Sequence, residues 1–355
     1  GGKIMEKKIV VLAGDGIGPE IMASALEVLE VITQKSEVTF TFEAHDFGGA
    51  AIDSCGEPFP KATLEACESA DAILLGAIGG PKWENVENTP EKGLLALRKA
   101  LKLFANIRPI TVPDVLLDRS PIKEEIIKGT DFVIVRELTS GMYFGEPRFL
   151  GDTKAYDTNY YHEDEIRQII RQAFKIAQGR KKQVLSVDKA NVLATSKLWR
   201  RVAEEVALEF PDCTLSHQYV DSAAMKIIQN PRAFDVIVTE NLFGDILSDE
   251  ASVLPGTLGV LPSASYGETG IALYEPIHGS APDIAGQNIA NPVSMILSAS
   301  LMLRQSFGLE TMADQIEDAC FATMEAGLLT SDLGGTASTS AFTQAVIQRI
   351  QGEEK

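Results

Sequence analysis

The stretch KIVVLAGDGIGPE, residues 8–20, decides the fold class, because an apolar run leads directly into a glycine-rich turn. Such a run is typical of a strand covered on both faces, and the Gly-Pro pair after it favours the start of a helix. We predict buried strands at this run and at similar ones, which are residues 8–13, 72–77, 132–136, 184–187, 215–220 and 234–239. Helical spacing of apolar residues between the strands, clearest at residues 166–179, indicates α/β architecture.

The glycines of this turn do not match a dinucleotide-binding motif. Their spacing is G-x-G-x-G, whereas the motif of the Rossmann fold is G-x-G-x-x-G. A tight turn from strand to helix is therefore the favoured interpretation. The sequence contains no P-loop motif either.

The length of the chain predicts its number of domains, and its net charge narrows the classes of partner and substrate. A chain of 355 residues exceeds one compact core, and roughly 100–200 residues per domain predicts two domains. No linker rich in Pro, Gly or Ser separates two halves, so we expect the domains to be interleaved. The formal net charge of −18 disfavours nucleic-acid and anionic-membrane partners, and an anionic substrate would need a local group of arginines.

The cysteine pattern and the apolar runs indicate a cytoplasmic protein. The four cysteines have no C-x-x-C spacing and do not form the pattern of a disulfide framework. No run reaches the ~20 apolar residues of a membrane span, and residues 9–13 are too few for a signal peptide.

A predicted helix at residues 91–104 carries groups that suit a branched acid. Arg98 lies four residues after Leu94 and three after Leu95, so the three side chains share a face. Glu91 lies one turn earlier. Such a face could bind an apolar branch and a carboxylate. An amphipathic helix with its leucines in the core is the more frequent explanation of this pattern taken alone.

Two more arginines follow this helix. Arg108 precedes a proline, and Arg136 ends a predicted strand. With Arg98 they could fix both carboxylates of a dianion, because guanidinium groups bind carboxylates in a bidentate manner. Singly, each arginine is more often part of a surface ion pair.

Asp245 and Asp249 suggest a metal site. They are four residues apart, so on a helix their carboxylates point the same way and repel each other unless a cation lies between them. Asp221, at the end of a predicted strand, could supply a third oxygen. Such ligands favour Mg²⁺ or Mn²⁺. A solvated acidic helix face is the alternative, which the neighbouring apolar residues weaken.

Lys189 and Tyr143 are candidates for proton transfer. Lys189 follows a predicted buried strand, where partial desolvation favours a neutral amine that can act as a general base. Tyr143 is a candidate proton donor. Either residue alone would most often be structural.

The loop that begins at His278 is a candidate nucleotide site. It is rich in small residues and turn formers, which expose backbone N–H groups to a phosphate or an adenosine. Asp283 could accept hydrogen bonds from ribose hydroxyls and would repel a 2′-phosphate, which favours NAD⁺ over NADP⁺. An ordinary surface loop is the alternative.

Seven long motifs carry a family resemblance over nearly the whole chain. They are GDGIGPE (14–20), GGPKW (79–83), LRKALKLFANIRP (97–109), RELTSGMYFG (136–145), VDKANVL (187–193), NLFGDILSD (241–249) and EPIHGSAPDIAGQNIANP (275–292). In this order they resemble the isocitrate/isopropylmalate, or β-decarboxylating, dehydrogenases. GGPKW and the paired leucines are similar to the isopropylmalate branch, and Asp283 followed by Ile284 is similar to its NAD⁺-dependent form.

The resemblance implies a fold and an activity. It implies two interleaved α/β domains around a large mixed sheet, distinct from a Rossmann fold. Cofactor-binding domain 1 would take residues 1–103 and 257–355, and domain 2, for substrate, metal and dimerisation, residues 104–256. The activity would be NAD-dependent oxidative decarboxylation of (2R,3S)-3-isopropylmalate to 2-oxoisocaproate and CO₂ in leucine biosynthesis, with Mg²⁺ or Mn²⁺.

The resemblance also implies a homodimer with shared sites, because Lys189, Asp221 and Val192 would reach the active centre of the other subunit. The implied catalytic residues are Tyr143, Lys189 and Asp221. The implied metal ligands are Asp221, Asp245 and Asp249. The implied substrate contacts are Arg98, Arg108, Arg136, Asp221, Glu91, Leu94, Leu95 and Val192. The implied cofactor contacts are Ile17, Glu275, His278, Gly279, Ser280, Ala281, Pro282, Asp283, Ile284 and Asn291.

Three alternatives remain open from the sequence. The nearest is a sister enzyme that acts on homoisocitrate, tartrate or another malate. A non-catalytic nucleotide-binding subunit should have lost part of the set Tyr143, Lys189, Asp245 and Asp249, which is complete here. A metal-dependent hydrolase would not need the cofactor loop.

Overall fold

Residues 5–352 are described in a computed structural model, where strands alternate with helices. The strands are β1 (Met5–Gly14), β2 (Val38–Ala44), β3 (Ala72–Ala77), β4 (Leu103–Thr111), β5 (Asp131–Glu137), β6 (Phe149–Leu150), β7 (Ala155–Tyr156), β8 (Gln183–Asp188), β9 (Thr214–Tyr219), β10 (Val236–Thr239), β11 (Pro262–Gly267) and β12 (Ala272–Pro276). The helices are α1 (Gly18–Thr33), α2 (Gly49–Cys55), α3 (Lys61–Glu68), α4 (Pro90–Ala100), α5 (Glu124–Ile127), α6 (Glu163–Gln178), α7 (Ala194–Ala207), α8 (Val220–Gln229), α9 (Asn241–Ser252), α10 (Val293–Phe307), α11 (Glu310–Glu325) and α12 (Thr339–Ile350).

The chain forms two compact units. Unit 1 comprises the chain up to Leu103 and from Thr257 onward. Its strands run in the order β2-β1-β3-β12-β11, and all neighbours are parallel except β11 and β12. Every residue of β3 is buried, as its unbroken apolar sequence predicts. This strand order differs from that of a Rossmann fold.

Helix α10 forms the centre of the helical layer of unit 1. Its residues 293–303 are all buried, and it packs against α1, α11 and β12. A helix that is apolar or small on every side belongs in a core. Burial of a side chain such as Ile296 or Met302 contributes about 1.5–3 kcal/mol. No helix among residues 5–352 has the length and apolar character that crossing a membrane requires.

A buried thiol in unit 1 predicts a loss of stability at alkaline pH. Cys67 in α3 is fully buried, and its burial raises the pKa of the thiol from 9.0 to about 12. Between these values the unfolded chain loses the proton first. The free energy of unfolding should therefore fall as the pH rises, by at most about 1.4 kcal/mol per pH unit.

Urea unfolding from about pH 8 to about pH 11 measures this slope. The variant Cys67→Ala should show a shallower fall than the wild type. The same replacement at the exposed Cys55 is the matched control and should keep the wild-type slope. Equal slopes in all three proteins would contradict the assignment.

Unit 2 comprises Phe104–Gly256. Its main strands run in the order β4-β5-β10-β8-β9, with β4 antiparallel to β5 and the others parallel. A separate hairpin pairs β6 with β7. Helix α6 confirms the prediction at residues 166–179, and α9 confirms that Asp245 and Asp249 lie on one helix.

Two predicted boundaries next to the proposed site are wrong, and the strand predicted at 234–239 begins only at Val236. The helix predicted at 91–104 ends at Ala100, because Lys102 takes a left-handed conformation with φ of 50° and Leu103 begins β4. The strand predicted at 215–220 ends at Tyr219. Val220 begins α8, so Asp221 lies in the first turn of a helix rather than at the end of a strand.

Candidate active site

Two of the predicted substrate arginines lie on neighbouring antiparallel strands of unit 2. Arg136 of β5 stands directly opposite Asn106 of β4, and Arg108 follows two residues further along β4. Directly opposite residues point to the same face of a sheet, as do residues two apart on one strand. Arg108 and Arg136 therefore share a face, and Arg108 Nε donates to Asn106 Oδ1 at 3.0 Å.

Helix α9 packs on Arg136 through Gly244. A β-carbon at Gly244 would lie 2.6 Å from Arg136 Cγ and 2.3 Å from Thr239 Oγ1, so no larger residue fits without a shift. This close approach brings Asp245 Oδ1 to 3.6 Å from Arg136 Nη1. The Arg136 side chain is 14% exposed and the Asp245 side chain is 41% exposed, so water partly screens the pair.

Tyr143 joins this group from the loop that follows β5. Its hydroxyl donates a hydrogen bond to Asp245 Oδ2 at 2.5 Å. The pKa of Tyr143 is raised, first because partial burial disfavours the phenolate and then because of the Asp245 carboxylate. The phenol therefore carries its proton at neutral pH, as a proton donor must.

Asp245 and Asp249 offer oxygen ligands on one side of α9. Asp245 is half-buried and Asp249 is exposed. Carboxylate oxygens are the ligands that Mg²⁺ and Mn²⁺ prefer, so the two residues fit such an ion. Within residues 5–352 no three His, Cys, Asp or Glu side chains are grouped to hold a metal. The three predicted ligands are therefore not grouped around one point within a single chain.

Lys189 and Asp221 form a pair of their own in unit 2. Lys189 directly follows β8, is half-buried, and places Nζ 2.8 Å from Asp221 Oδ1. The hydrogen bond from Lys189 lowers the pKa of Asp221, and backbone N–H groups in the first turn of α8 lower it further. Val192, in the turn after Lys189, is exposed.

Unit 1 supplies Arg98 in the last turn of α4. Its Nη2 lies 3.5 Å from Glu275 Oε1, and its Nε is buried without a hydrogen-bond partner among the described residues. On the same helix Leu94 is half-buried, Leu95 is 55% exposed and Glu91 is exposed. The Arg98 side chain is 33% exposed as a whole, so part of it is accessible to a ligand, as Leu95 is.

The glycine-rich turn after β1 forms a hydrogen bond with the predicted cofactor loop. Ile17 N donates to Ser280 O at 2.8 Å, and Ser280 Oγ donates to Gly79 O at 2.8 Å. Gly16 has a φ of +58°, and a β-carbon there would lie 2.1 Å from Ser280 O. Only glycine fits this position. The turn from strand to helix predicted here is confirmed, since α1 begins at Gly18.

The loop contains a buried nitrogen that a nucleotide would satisfy. His278 Nδ1 lies 3.0 Å from Gly279 O, whereas Nε2 is buried with no partner among the described residues. Burial lowers the pKa of His278, so the imidazole is neutral at neutral pH. A neutral ring with an unused nitrogen fits an adenosine, and Asp283 is exposed further along the loop.

The other predicted cofactor residues differ in how far they are buried and in whether they already form hydrogen bonds within the protein. Asn291 is engaged within the protein: its Oδ1 accepts from Val293 N at 3.0 Å and its Nδ2 donates to Asp332 Oδ2 at 3.1 Å. The Ile17 side chain and Ser280 are buried. The remaining loop residues are half-buried or exposed, namely Gly279, Ala281, Pro282 and Ile284.

Two residues that were not predicted, Glu137 and Tyr161, support the Tyr143 loop. Glu137 is buried, and its carboxylate accepts hydrogen bonds from Thr139 N at 2.7 Å and Tyr161 Oη at 2.9 Å. Burial raises the pKa of Glu137. The available signal is the acidic residue directly after the buried run at 132–136.

Comparisons with known proteins show the family of the chain. A family model described as isocitrate/isopropylmalate dehydrogenase matches residues 8–348. The 3-isopropylmalate dehydrogenase of Listeria innocua is 64% identical over 350 residues, which are 99% of this chain and all of that protein. The protein of the same name from Streptococcus thermophilus is 64% identical over 346 residues, with coverage of 98% and 100%.

Solved structures agree with the fold. The β-decarboxylating dehydrogenase of Thermococcus kodakarensis in its apo form superposes with a TM-score of 0.84 at 37% identity, over 98% of this chain and 96% of that one. An isocitrate dehydrogenase from Methylococcus capsulatus gives 0.82 at 34% identity, over 97% and 99%. The predicted α/β fold with a large mixed sheet is confirmed, and the chain belongs to the isocitrate/isopropylmalate dehydrogenase family.

Proposed function

We propose that this chain is an NAD-dependent enzyme that oxidises and decarboxylates (2R,3S)-3-isopropylmalate to 2-oxoisocaproate and CO₂, a step of leucine biosynthesis. The observation that carries the proposal is the contact of Arg136, Asp245 and Tyr143. It unites a carboxylate-binding group, a metal ligand and a proton donor. Relatives that are 64% identical over their whole length bear the name of this activity.

The substrate is a dianion with an apolar branch. The family resemblance assigns its two carboxylates to Arg98, Arg108 and Arg136, which would bind them through charge-assisted hydrogen bonds. Leu94 and Leu95 contact the isopropyl group, with Glu91 beside them and Val192 contributed by the partner subunit. The branch thereby exchanges water for an apolar surface.

Two groups would supply chemistry that side chains lack. A divalent cation would be held by Asp245, Asp249 and Asp221 of the partner subunit, and it would supply a Lewis acid for the substrate oxygens. NAD⁺ would be held by Ile17, Glu275, Asn291 and the loop at residues 278–284, and it would supply the hydride acceptor. Asp283 would repel a 2′-phosphate and so favour NAD⁺ over NADP⁺.

The side chains of the protein move two protons. Lys189 of the partner subunit accepts the proton of the substrate hydroxyl as the carbon is oxidised. The bond to the carboxylate then breaks and CO₂ leaves. Tyr143 donates its proton to the carbon that has lost CO₂, and the raised pKa keeps that proton in place until then.

Exposed apolar side chains on two adjoining helices of unit 2 support a homodimer. Met225 of α8 is 58% exposed, and Ile246 and Val253 at α9 are 57% and 49% exposed. Helices α8 and α9 pack against each other, and larger exposed apolar surfaces mark interfaces. The free thiols of all four cysteines support a reducing, cytoplasmic compartment.

A substrate panel tests the proposal. Isopropylmalate, isocitrate, homoisocitrate, tartrate and malate are each assayed for NADH or NADPH formation with Mg²⁺ or Mn²⁺. We expect the highest kcat/KM for isopropylmalate with NAD⁺, with release of CO₂. A higher kcat/KM for another acid would assign the chain to a sister activity, and the absence of reduced cofactor with every acid would refute an enzymatic role.

The two leucines of α4 should set the preference for the branched substrate. The double replacement Leu94→Ser with Leu95→Ser should lower the ratio of kcat/KM for isopropylmalate to that for malate by about 10- to 200-fold, the usual range for apolar contacts. The replacement Leu208→Ser, at an exposed leucine after α7, is the control and should keep the ratio. An unchanged ratio in the double variant would remove Leu94 and Leu95 from the pocket.

A further inference from the structure

Asn241, the first residue of α9, holds the guanidinium of Arg136 with its side-chain oxygen. Asn241 Oδ1 accepts from Arg136 Nη2 at 2.8 Å and from Arg136 Nε at 3.2 Å. The backbone oxygen of Asn241 accepts from the same Nε at 3.1 Å. A guanidinium is planar, so two donors on one acceptor fix its plane. Asn241 is 1% exposed, so no water competes for these bonds.

The other half of the same amide holds the loop that carries Tyr143. Asn241 Nδ2 donates to Ser140 O at 2.9 Å, three residues before Tyr143. On the other side of this loop, the Glu137 carboxylate accepts from Ser140 N at 3.1 Å. Ser140 is therefore held at both its N–H and its carbonyl.

The backbone of Asn241 closes the network. Asn241 N donates to Tyr161 Oη at 3.0 Å, and Tyr161 Oη donates to Glu137 Oε2 at 2.9 Å. The start of α9, the end of β5 and the Tyr143 loop are thus joined through buried hydrogen bonds. A satisfied buried network of this kind fixes one arrangement of its members.

We propose that Asn241 is a positioning residue that aligns Arg136 and Tyr143 together, so that carboxylate binding and proton donation depend on one amide. This inference rests on the proposed function. The amide can act in this way because it accepts from Arg136 with its oxygen and donates to Ser140 with its nitrogen. An aspartate has the same shape and keeps the acceptor but loses the donor, and a leucine loses both.

The test is a double-mutant cycle with Tyr143. The variants Asn241→Asp, Asn241→Leu and Tyr143→Phe and the two double variants are assayed for kcat and for KM of isopropylmalate and NAD⁺. We expect Asn241→Asp and Asn241→Leu to lower kcat by about 10- to 100-fold, the effect of a misplaced catalytic group. In the Tyr143→Phe background each should lower kcat by less than about threefold, because the aligned group is already absent.

A second readout concerns Arg136. Asn241→Leu should raise KM for isopropylmalate by about tenfold or more in both backgrounds, while KM for NAD⁺ stays within about twofold. The control Asn230→Asp adds the same charge at an exposed asparagine after α8 and should behave as the wild type.

Kcat losses that multiply in the cycle, or wild-type kcat in Asn241→Asp, would overturn the inference. If Asn241→Leu does not fold, the isosteric Asn241→Asp carries the cycle alone. A wild-type chain that is inactive on isopropylmalate would instead overturn the proposed function, so the two failures are distinguishable.

Discussion

Replacement of Lys189 by Met is expected to lower kcat for isopropylmalate by about 10²–10⁴-fold, the usual contribution of a general base. The methionine keeps the length of the side chain and removes the group that accepts the hydroxyl proton. Steady-state NADH formation at saturating substrate measures the effect. Lys175→Met, on the exposed side of α6, is the matched control and should keep the wild-type kcat.

A kcat within about threefold of that of the wild type would contradict the role of Lys189, because a general base contributes about 10²–10⁴-fold. The replacement also removes the partner of Asp221, whose pKa is lowered chiefly by the hydrogen bond from Lys189. Thermal unfolding of the variant therefore accompanies the assay, and a retained melting transition assigns the loss of kcat to the chemistry.

Replacement of Tyr143 by Phe is expected to lower kcat by a similar factor of about 10²–10⁴, because the ring remains and only the donated proton is lost. Its hydroxyl contacts Asp245, so KM for Mg²⁺ is measured in parallel. The control is Tyr156→Phe in the β6–β7 hairpin, which also removes a phenolic hydroxyl but lies outside the proposed site. Unchanged turnover in Tyr143→Phe would leave the proton donor unassigned.

Mixing the two inactive variants tests whether subunits share their sites. In a dimer of one Lys189→Met chain and one Tyr143→Phe chain, a shared arrangement combines both defects in one site and leaves the other site intact. Random exchange of subunits should then restore about a quarter of the wild-type activity. Sites built from single chains would give no recovery, which would refute the shared arrangement.

The sequence predicts best those parts of the fold that bury both faces of a strand. The runs that became β3 and β5 are continuous and apolar, and their residues are almost all buried. β2 has the sequence VTFTFEA and is half-exposed along its length. Because polar residues interrupt it, a search for continuous apolar runs does not find it. β12 ends in Glu275 and Pro276, and its place between β3 and β11 depends on contacts remote in sequence.

The residues of the candidate site also differ in how well the sequence predicts them. Side chains with a distinctive chemistry, such as Arg136, Asp245 and Tyr143, can be predicted from their type and from helical spacing, and the structure brings these three into contact. The supporting roles of Asn241 and Glu137 are harder to predict. Asn241 bonds to residues about 100 positions away. Glu137 can be noticed as the acidic residue after a predicted strand, but its residue type does not reveal its bonds to Thr139, Ser140 and Tyr161.

The division of unit 1 into two stretches bears on biosynthesis at the ribosome. β1 and β3 are made early, but α10, which packs against β3 and β12, is not complete until Phe307 has been added. Unit 2 is one uninterrupted stretch of the chain, so it can fold before unit 1 is complete. The apolar strands of unit 1 stay exposed until the helices that pack on them have been made. We therefore expect a nascent chain paused before residue 293 to expose hydrophobic surface of the kind that chaperones bind. Premature termination at this point should yield a fragment that aggregates.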